Sequence, residues 1–227
     1  MASSSRISYP LVWGIMFATI AAVVLAWVVI VRTQSALTPH TPAELTLISW
    51  QAAAKANPQD SGAQMQLGFA YYRNAHETTD PVKRRALLLQ ALAAYDASVK
   101  LNPSIDTTQY NRALTLQELG RTDEALAVFE LMITRDKGMT DATHDAGMIY
   151  LARGNAKMAV SRLELAVKAD STASDYRVDL ARAYVLAGRK AKAIPQLRAA
   201  LATEPSNADA RSMLATLTAT PKGAGAK

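Results

Sequence analysis

GRTDEALAVF (120–129), GNAKMAVSRL (154–163) and GRKAKAIPQL (188–197) begin at glycines spaced 34 residues apart. Ala125, Ala159 and Ala193 share that period, each followed by an aliphatic residue (Leu126, Val160, Ile194) and, four positions after the alanine, by a large one (Phe129, Leu163, Leu197). Upstream, Ala91, Leu92 and Tyr95 fit the same columns. Several independent columns with one period denote a repeat array, and that organisation takes precedence over any local reading. Glycine at 120, 154 and 188 suits the end of a first helix, where a left-handed residue is needed. Alanine followed by a bulky residue suits a second helix that packs closely on the first. Each such hairpin leaves an apolar face that only its neighbour can cover, so the array reads as a solenoid.

The pattern resembles the tetratricopeptide repeat family. Gly68 with Tyr71, Gly147 with Tyr150, and Ala181 with Tyr184 occupy the small and aromatic positions of that family's helix A. Pro103 and Pro205 occupy its closing position, while Lys137 and Ser171 replace the proline in the middle repeats. The resemblance covers residues 42 to about 218 and implies an all-α fold of helix–turn–helix repeats. The expected segments are a leading half-repeat helix at 42–60, repeats at 61–105, 106–139, 140–173 and 174–207, a capping helix at 208–218 and a flexible tail at 219–227. Thr41, Pro42 and Glu44 spell a capped start for the leading helix, which ends at Asn57-Pro58 and places Trp50 in a bulky slot. From Gly68 to Ala91 the chain runs 23 residues where the family has 12, an 11-residue insertion. Asp80-Pro81 reads as a new N-cap and first turn, giving a long second helix over 81–101 that takes up the added length as about three turns.

Before the repeats the chain is of another kind. A short tail (1–10) precedes LVWGIMFATIAAVVLAWVVIV (11–31), which has no charged residue, and a polar linker (32–41) follows. At 1.5 Å per residue the span reaches about 31 Å, enough to cross a bilayer core. We read it as a single transmembrane helix, since it exceeds a signal peptide's apolar region. Arg6 and the α-amine on the short flank place the amino terminus in the cytoplasm and the repeats outside an inner membrane. No ionisable residue lies in the span to form an ion path. The alternative is a cleaved signal peptide and a soluble exported chaperone.

Composition supports this division and excludes much chemistry. The 227 residues are 50% hydrophobic but only 6% aromatic, which favours helices packed through small side chains. With no cysteine there is no disulfide, thiol catalysis or cysteine-ligated metal. His40, His76 and His144 are too scattered for a local metal motif, and no phosphate loop or nucleophile elbow occurs. We therefore expect neither an enzyme nor a cofactor. Asp141, three residues before His144, is expected to cap its helix, leaving His144 a partly exposed neighbour. The net charge is +6. Lys83-Arg84-Arg85 and the cluster Arg189, Lys190, Lys192 and Arg198 are read as solvated faces rather than a nucleic-acid site, because acids are interspersed and a stacking platform is missing. Lys83 to Arg85 could alternatively touch anionic lipid.

The resemblance implies a concave binding surface lined by helix A. Projected onto this chain, its positions are Gln66, Phe69, Tyr72 and Arg73; Asn111, Leu114, Gln117 and Glu118; Asp141, His144, Asp145 and Met148; and Asp175, Val178, Asp179 and Arg182. Asn111 matches the middle of the carboxylate clamp found in some relatives. Met65 and Phe69 stand where that clamp has Lys and Asn, and Asp141 and Asp145 where it has Lys and Arg, so C-terminal carboxylate capture as that clamp performs it is excluded. Asp141, Asp145, Asp175 and Asp179 instead form an expected acidic stripe, with Phe69, Leu114, Met148 and Val178 as apolar contacts. Such a surface suits a basic, amphipathic or extended peptide, although acids in first helical turns also complement the helix dipole. The resulting expectation is a membrane-anchored scaffold for a protein or peptide client in assembly or maturation of an envelope complex. It is similar in kind to the repeat-bearing component of cytochrome c maturation systems. A homo-oligomeric structural scaffold is a further alternative, and the oligomeric state is left open.

Overall fold

The structure is a computed structural model and describes residues 23–27, 41–136 and 138–219. The tail 1–10, most of the span 11–31, the linker up to residue 40, Lys137 and the tail from residue 220 lie outside the described residues. Two units partition the chain, residues 1–45 and residues 46–227. In the first unit, residues 23–27 are helical, and Val23, Val24, Leu25 and Trp27 are each more than half exposed. Among the described residues no helix is long and apolar enough to cross a membrane. The Thr41 amide donates to Glu44 Oε2 at 3.0 Å and the Glu44 amide donates to Thr41 Oγ1 at 3.2 Å. This reciprocal capping box opens helix α1, Pro42–Ala56.

From there the described chain is α-helical throughout: α2 Ser61–Glu77, α3 Pro81–Leu101, α4 Asp106–Glu118, α5 Thr122–Arg135, α6 Thr140–Ala152, α7 Ala156–Ala169, α8 Ser174–Leu186, α9 Lys190–Thr203 and α10 Ala208–Thr218. Even-numbered helices α2 to α8 are the A helices of successive hairpins, and α3 to α9 the B helices. The periodic columns of the sequence are the core. Ala91, Ala125, Ala159 and Ala193 are fully buried, and so are Tyr95, Phe129, Leu163 and Leu197. Burying each large side chain contributes roughly 1.5–3 kcal/mol. The small residues opposite make room for them. A Cβ on Gly68 would meet Tyr95 Cδ1 at 2.6 Å, and one on Gly147 would meet Leu163 Cγ at 2.7 Å.

Three hairpins turn in one way. Gly120, Gly154 and Gly188 have φ of +80°, +70° and +71°. In each turn the following amide closes a six-to-one bond: Arg121 to the Leu116 carbonyl at 2.8 Å, Asn155 to Tyr150 at 2.9 Å, and Arg189 to Tyr184 at 2.7 Å. The first hairpin departs from this rule. Its A helix ends at Thr78 in an extended conformation, and the Asp80 carboxylate caps α3 by accepting from the amides of Val82 and Lys83. The long B helix lies at the expected 81–101, but it takes up only part of the insertion. Helix α2 has 17 residues against 13 in α4, and α3 has 21 against 14 in α5. The 11 residues are therefore split, four on α2 and seven on α3, because both partners of an antiparallel hairpin must lengthen to keep each other covered.

Candidate functional site

Successive A helices lie side by side and in register, joined by a ladder of polar side chains. The Tyr110 hydroxyl on α4 donates to Asp145 Oδ2 on α6 at 2.8 Å. His144 Nε2 on α6 lies 2.9 Å from Asp179 Oδ2 on α8. Both links run from the fifth position of one repeat to the sixth of the next. The Tyr176 hydroxyl donates back to Asp141 Oδ1 at 2.8 Å, and its ring stacks on His144 with centroids 4.3 Å apart. Arg182 donates to Asp179 Oδ1 at 2.7 Å and also reaches Asp209 on α10. At the other end, Glu118 on α4 accepts from the Tyr72 hydroxyl and from Arg84 at 3.0 Å, with His76 Nε2 2.9 Å away.

These neighbours set the local charge. Burial disfavours a charged His144, but Asp145 and Asp179 outweigh it and lift its pKa to about 9. The ring is therefore an imidazolium at neutral pH. Burial, with Asp145 beside it, pushes the Tyr110 hydroxyl upward, and burial with Asp141 does the same to Tyr176. Burial also works against a charged Glu118, yet donation from Tyr72, Arg84 and His76 holds its carboxyl below the usual range. Every one of these hydroxyls is a neutral donor near pH 7, suited to a structural bond rather than proton transfer.

The expected surface residues consequently fall into two groups. Tyr72, Asp141, Asp145, Asp179 and Arg182 are engaged in the ladder, and Arg73 donates to Thr46 Oγ1 at 3.2 Å. Val178 is buried, so it offers a peptide no apolar contact, contrary to expectation. Asp141 does not cap α6: the N-cap is Met139, without a side-chain bond, and Asp141 turns to Tyr176 instead. His144 is partly exposed, as expected, but it is also the centre of the ladder. The second group stays open. Among the described residues the side-chain amides of Gln66, Asn111 and Gln117 have no hydrogen-bond partner. Phe69 is 46% exposed, Leu114 and Met148 are half-buried, and Asp175 is exposed. Between α8 and the start of α10 lies a recess of about 360 Å³, lined by Asp175, Asp179, Glu204 and Asp209 with Arg182 as the single cation among its lining residues.

Sequence reasoning missed Tyr110, Tyr176, His76 and Arg84. A signal for the first was available: a donor at the fifth position followed 35 residues later by an acid, Tyr110 with Asp145 and His144 with Asp179.

Family models for the tetratricopeptide repeat match residues 85–140 and 174–217. Both of these segments carry tetratricopeptide repeats. The fold comparison agrees along most of the repeat array. YrrB, a tetratricopeptide repeat protein with an unusual peptide-binding site, is 16% identical over 75% of this chain and 82% of its own, with a TM-score of 0.62. MamA (residues 41 to the end) from Desulfovibrio magneticus RS-1 is 19% identical over 73% of this chain and 88% of its own, with a TM-score of 0.62. A tetratricopeptide repeat protein from Parabacteroides merdae is 20% identical over 75% of this chain and 64% of its own, with a TM-score of 0.61. No curated protein matches the sequence. At these identities the likeness concerns the fold alone: an α-helical solenoid of tetratricopeptide repeats.

Proposed function

We propose that this chain is a membrane-anchored scaffold whose A-helix face holds an extended client peptide of basic or amphipathic character. The open amides of Gln66, Asn111 and Gln117 carry this reading. An extended peptide has an unpaired N–H and C=O at each residue, and a side-chain amide offers both a donor and an acceptor. Exposed Phe69, with Leu114 and Met148, adds apolar contact beside those amides. The acidic recess near α10 supplies complementarity to a basic side chain. The peptide-binding site of YrrB is a precedent for this use of the fold.

Anchoring is the second part of the proposal. The charge-free span 11–31 has bilayer length, and four of the five residues at 23–27 are large apolar side chains more than half exposed. The flanking charge then puts the amino terminus in the cytoplasm and the repeats outside the inner membrane. There the scaffold serves assembly or maturation of an envelope complex, in the manner of cytochrome c biogenesis. Photo-crosslinkers placed at Asn111 and Phe69 of the full-length protein in native membranes test the face. A protein adduct at both, and none from Leu131 on the outside of α5, is the expected result. Equal adducts from all three positions overturn it. The mass of the mature chain and its resistance to alkaline extraction decide the anchor.

A further inference from the structure

The four A–B turns form one row along an edge of the repeat array. Arg84 in the first turn reaches Glu118 in the second at 3.0 Å, and Arg153 in the third pairs with Asp123 in the second at 2.7 Å. The third and fourth turns share a recess of about 380 Å³ between Lys157 and Arg189. Acids of this row are engaged within it. Glu118 serves Tyr72, His76 and Arg84, Glu124 pairs with Arg121, Glu164 accepts from the Tyr184 hydroxyl, and Asp80 caps α3. Lys83, Arg85, Lys157, Arg189, Lys190 and Lys192 are left without an ion pair among the described residues. On the opposite edge the B–A turns carry Asp136, Asp170 and Glu204 at 34-residue intervals. The unpaired cations thus gather on the A–B edge, whereas the B–A turns mix these acids with Lys100, Arg135 and Lys168 in the last turns of the B helices.

The first turn adds an apolar element. Four extra residues on α2 and seven on α3 carry it about 6–10 Å beyond its neighbours. At its tip Val82 is 77% exposed, next to Lys83 and close to Arg85. We propose that this edge rests on an anionic membrane surface, its six cations against lipid phosphates and Val82 in the boundary between headgroups and acyl chains. The proposal rests on the membrane-anchored reading, which supplies the surface. A ten-residue linker spans at most about 36 Å, so an anchored array stays within reach of the bilayer. Each basic side chain near an anionic leaflet contributes about 1 kcal/mol, and an exposed aliphatic among cations suits that interface. A nucleic acid would call for open stacking aromatics, whereas on this edge Tyr184 is buried and Tyr72 packs on His76 with its hydroxyl bonded to Glu118.

The chain has no cysteine, so single labels are clean. Full-length Thr79→Cys and Ala191→Cys place a fluorophore on the basic edge, and Ser206→Cys places one opposite. Each is reconstituted in phosphatidylcholine vesicles, with and without phosphatidylglycerol, carrying a headgroup quencher. Phosphatidylglycerol is expected to raise quenching at residues 79 and 191 at least about fivefold and to leave 206 unchanged. High salt, or the combined Lys157→Gln, Arg189→Gln, Lys190→Gln and Lys192→Gln, removes the increase at residue 191. Equal quenching at all three sites, or no dependence on phosphatidylglycerol, overturns the proposal. So does binding of an acidic protein or nucleic acid through these cations with no change in quenching. Retention in pure phosphatidylcholine vesicles at alkaline pH reads the anchor separately. A retained chain without edge quenching rejects the edge alone, and a released chain rejects the anchor while the quenching increment still tests the edge.

Discussion

His144 Nε2 sits 2.9 Å from Asp179 Oδ2 in the next repeat while its Nδ1 faces Asp145 Oδ1 at 3.7 Å. One imidazole therefore ties α6 to α8 and neutralises part of a face that would otherwise repel itself.

This tie is expected to depend on pH. The His144 pKa in the fold, about 9, lies above the ordinary histidine value of 6.5. Its contribution is fully present below about pH 6.5 and is lost as pH rises through about 9. After allowance for solvent screening at this partly open position, it amounts to roughly 2 kcal/mol. Urea unfolding of the wild type and His144→Gln across this range checks it: the stability gap is largest at the acid end and closes at the alkaline end. A gap independent of pH contradicts the assignment.

The carboxylates of the A-helix face should separate into structural and ligand-facing groups. Asp145→Asn weakens the bonds to Tyr110 and His144 and is expected to destabilise the array by about 1–2 kcal/mol. Asp175→Asn leaves stability within about 0.5 kcal/mol but reduces crosslinking to a basic client from Asn111. Thermal unfolding beside crosslink yield distinguishes the two groups, and equal stability losses would refute the division.

Two glycines should differ in their cost of substitution, for separate reasons. Gly154 has φ +70° with open space around a new Cβ, so Gly154→Ala costs about 1–2 kcal/mol through backbone strain alone. At Gly147 the new Cβ stands 2.7 Å from Leu163 Cγ inside the packed layer, and Gly147→Ala costs about 2–3 kcal/mol. Shortening the partner by Leu163→Val should recover part of the second loss and none of the first, as chemical denaturation would reveal.

Glu118→Gln should loosen the extended first hairpin. It weakens the convergence of Tyr72, His76 and Arg84 on one carboxylate. Because these partners are partly solvated, the global loss is about 1 kcal/mol. Hydrogen exchange is expected to quicken over residues 73–90, with little change in α6 to α9.

Much of the fold was legible because the signals are local and repeated. The 34-residue columns of alanine and bulky residues coincide with fully buried positions, and three glycines coincide with left-handed turns. Asp80-Pro81 announces the start of α3, since a capping carboxylate and a ring-fixed φ act within one turn. The division of the insertion between α2 and α3 was hidden, because it depends on how far each helix must run to cover the other. The candidate face was legible only as positions: Gln66, Asn111 and Phe69 are open, whereas Val178 is buried and three of the four acids are engaged.

Residue order alone sufficed for the period, the packing columns, the turn glycines and the helix starts, because each follows from interactions within a turn or within one 34-residue unit. Partners 35 residues apart, Tyr110 with Asp145 and His144 with Asp179, came from the stacking of hairpins. So did the alignment of six unpaired cations along one edge. Charge that looks free on a single helix is free or spent according to what the neighbouring repeat brings within hydrogen-bonding distance, and no single repeat contains that information.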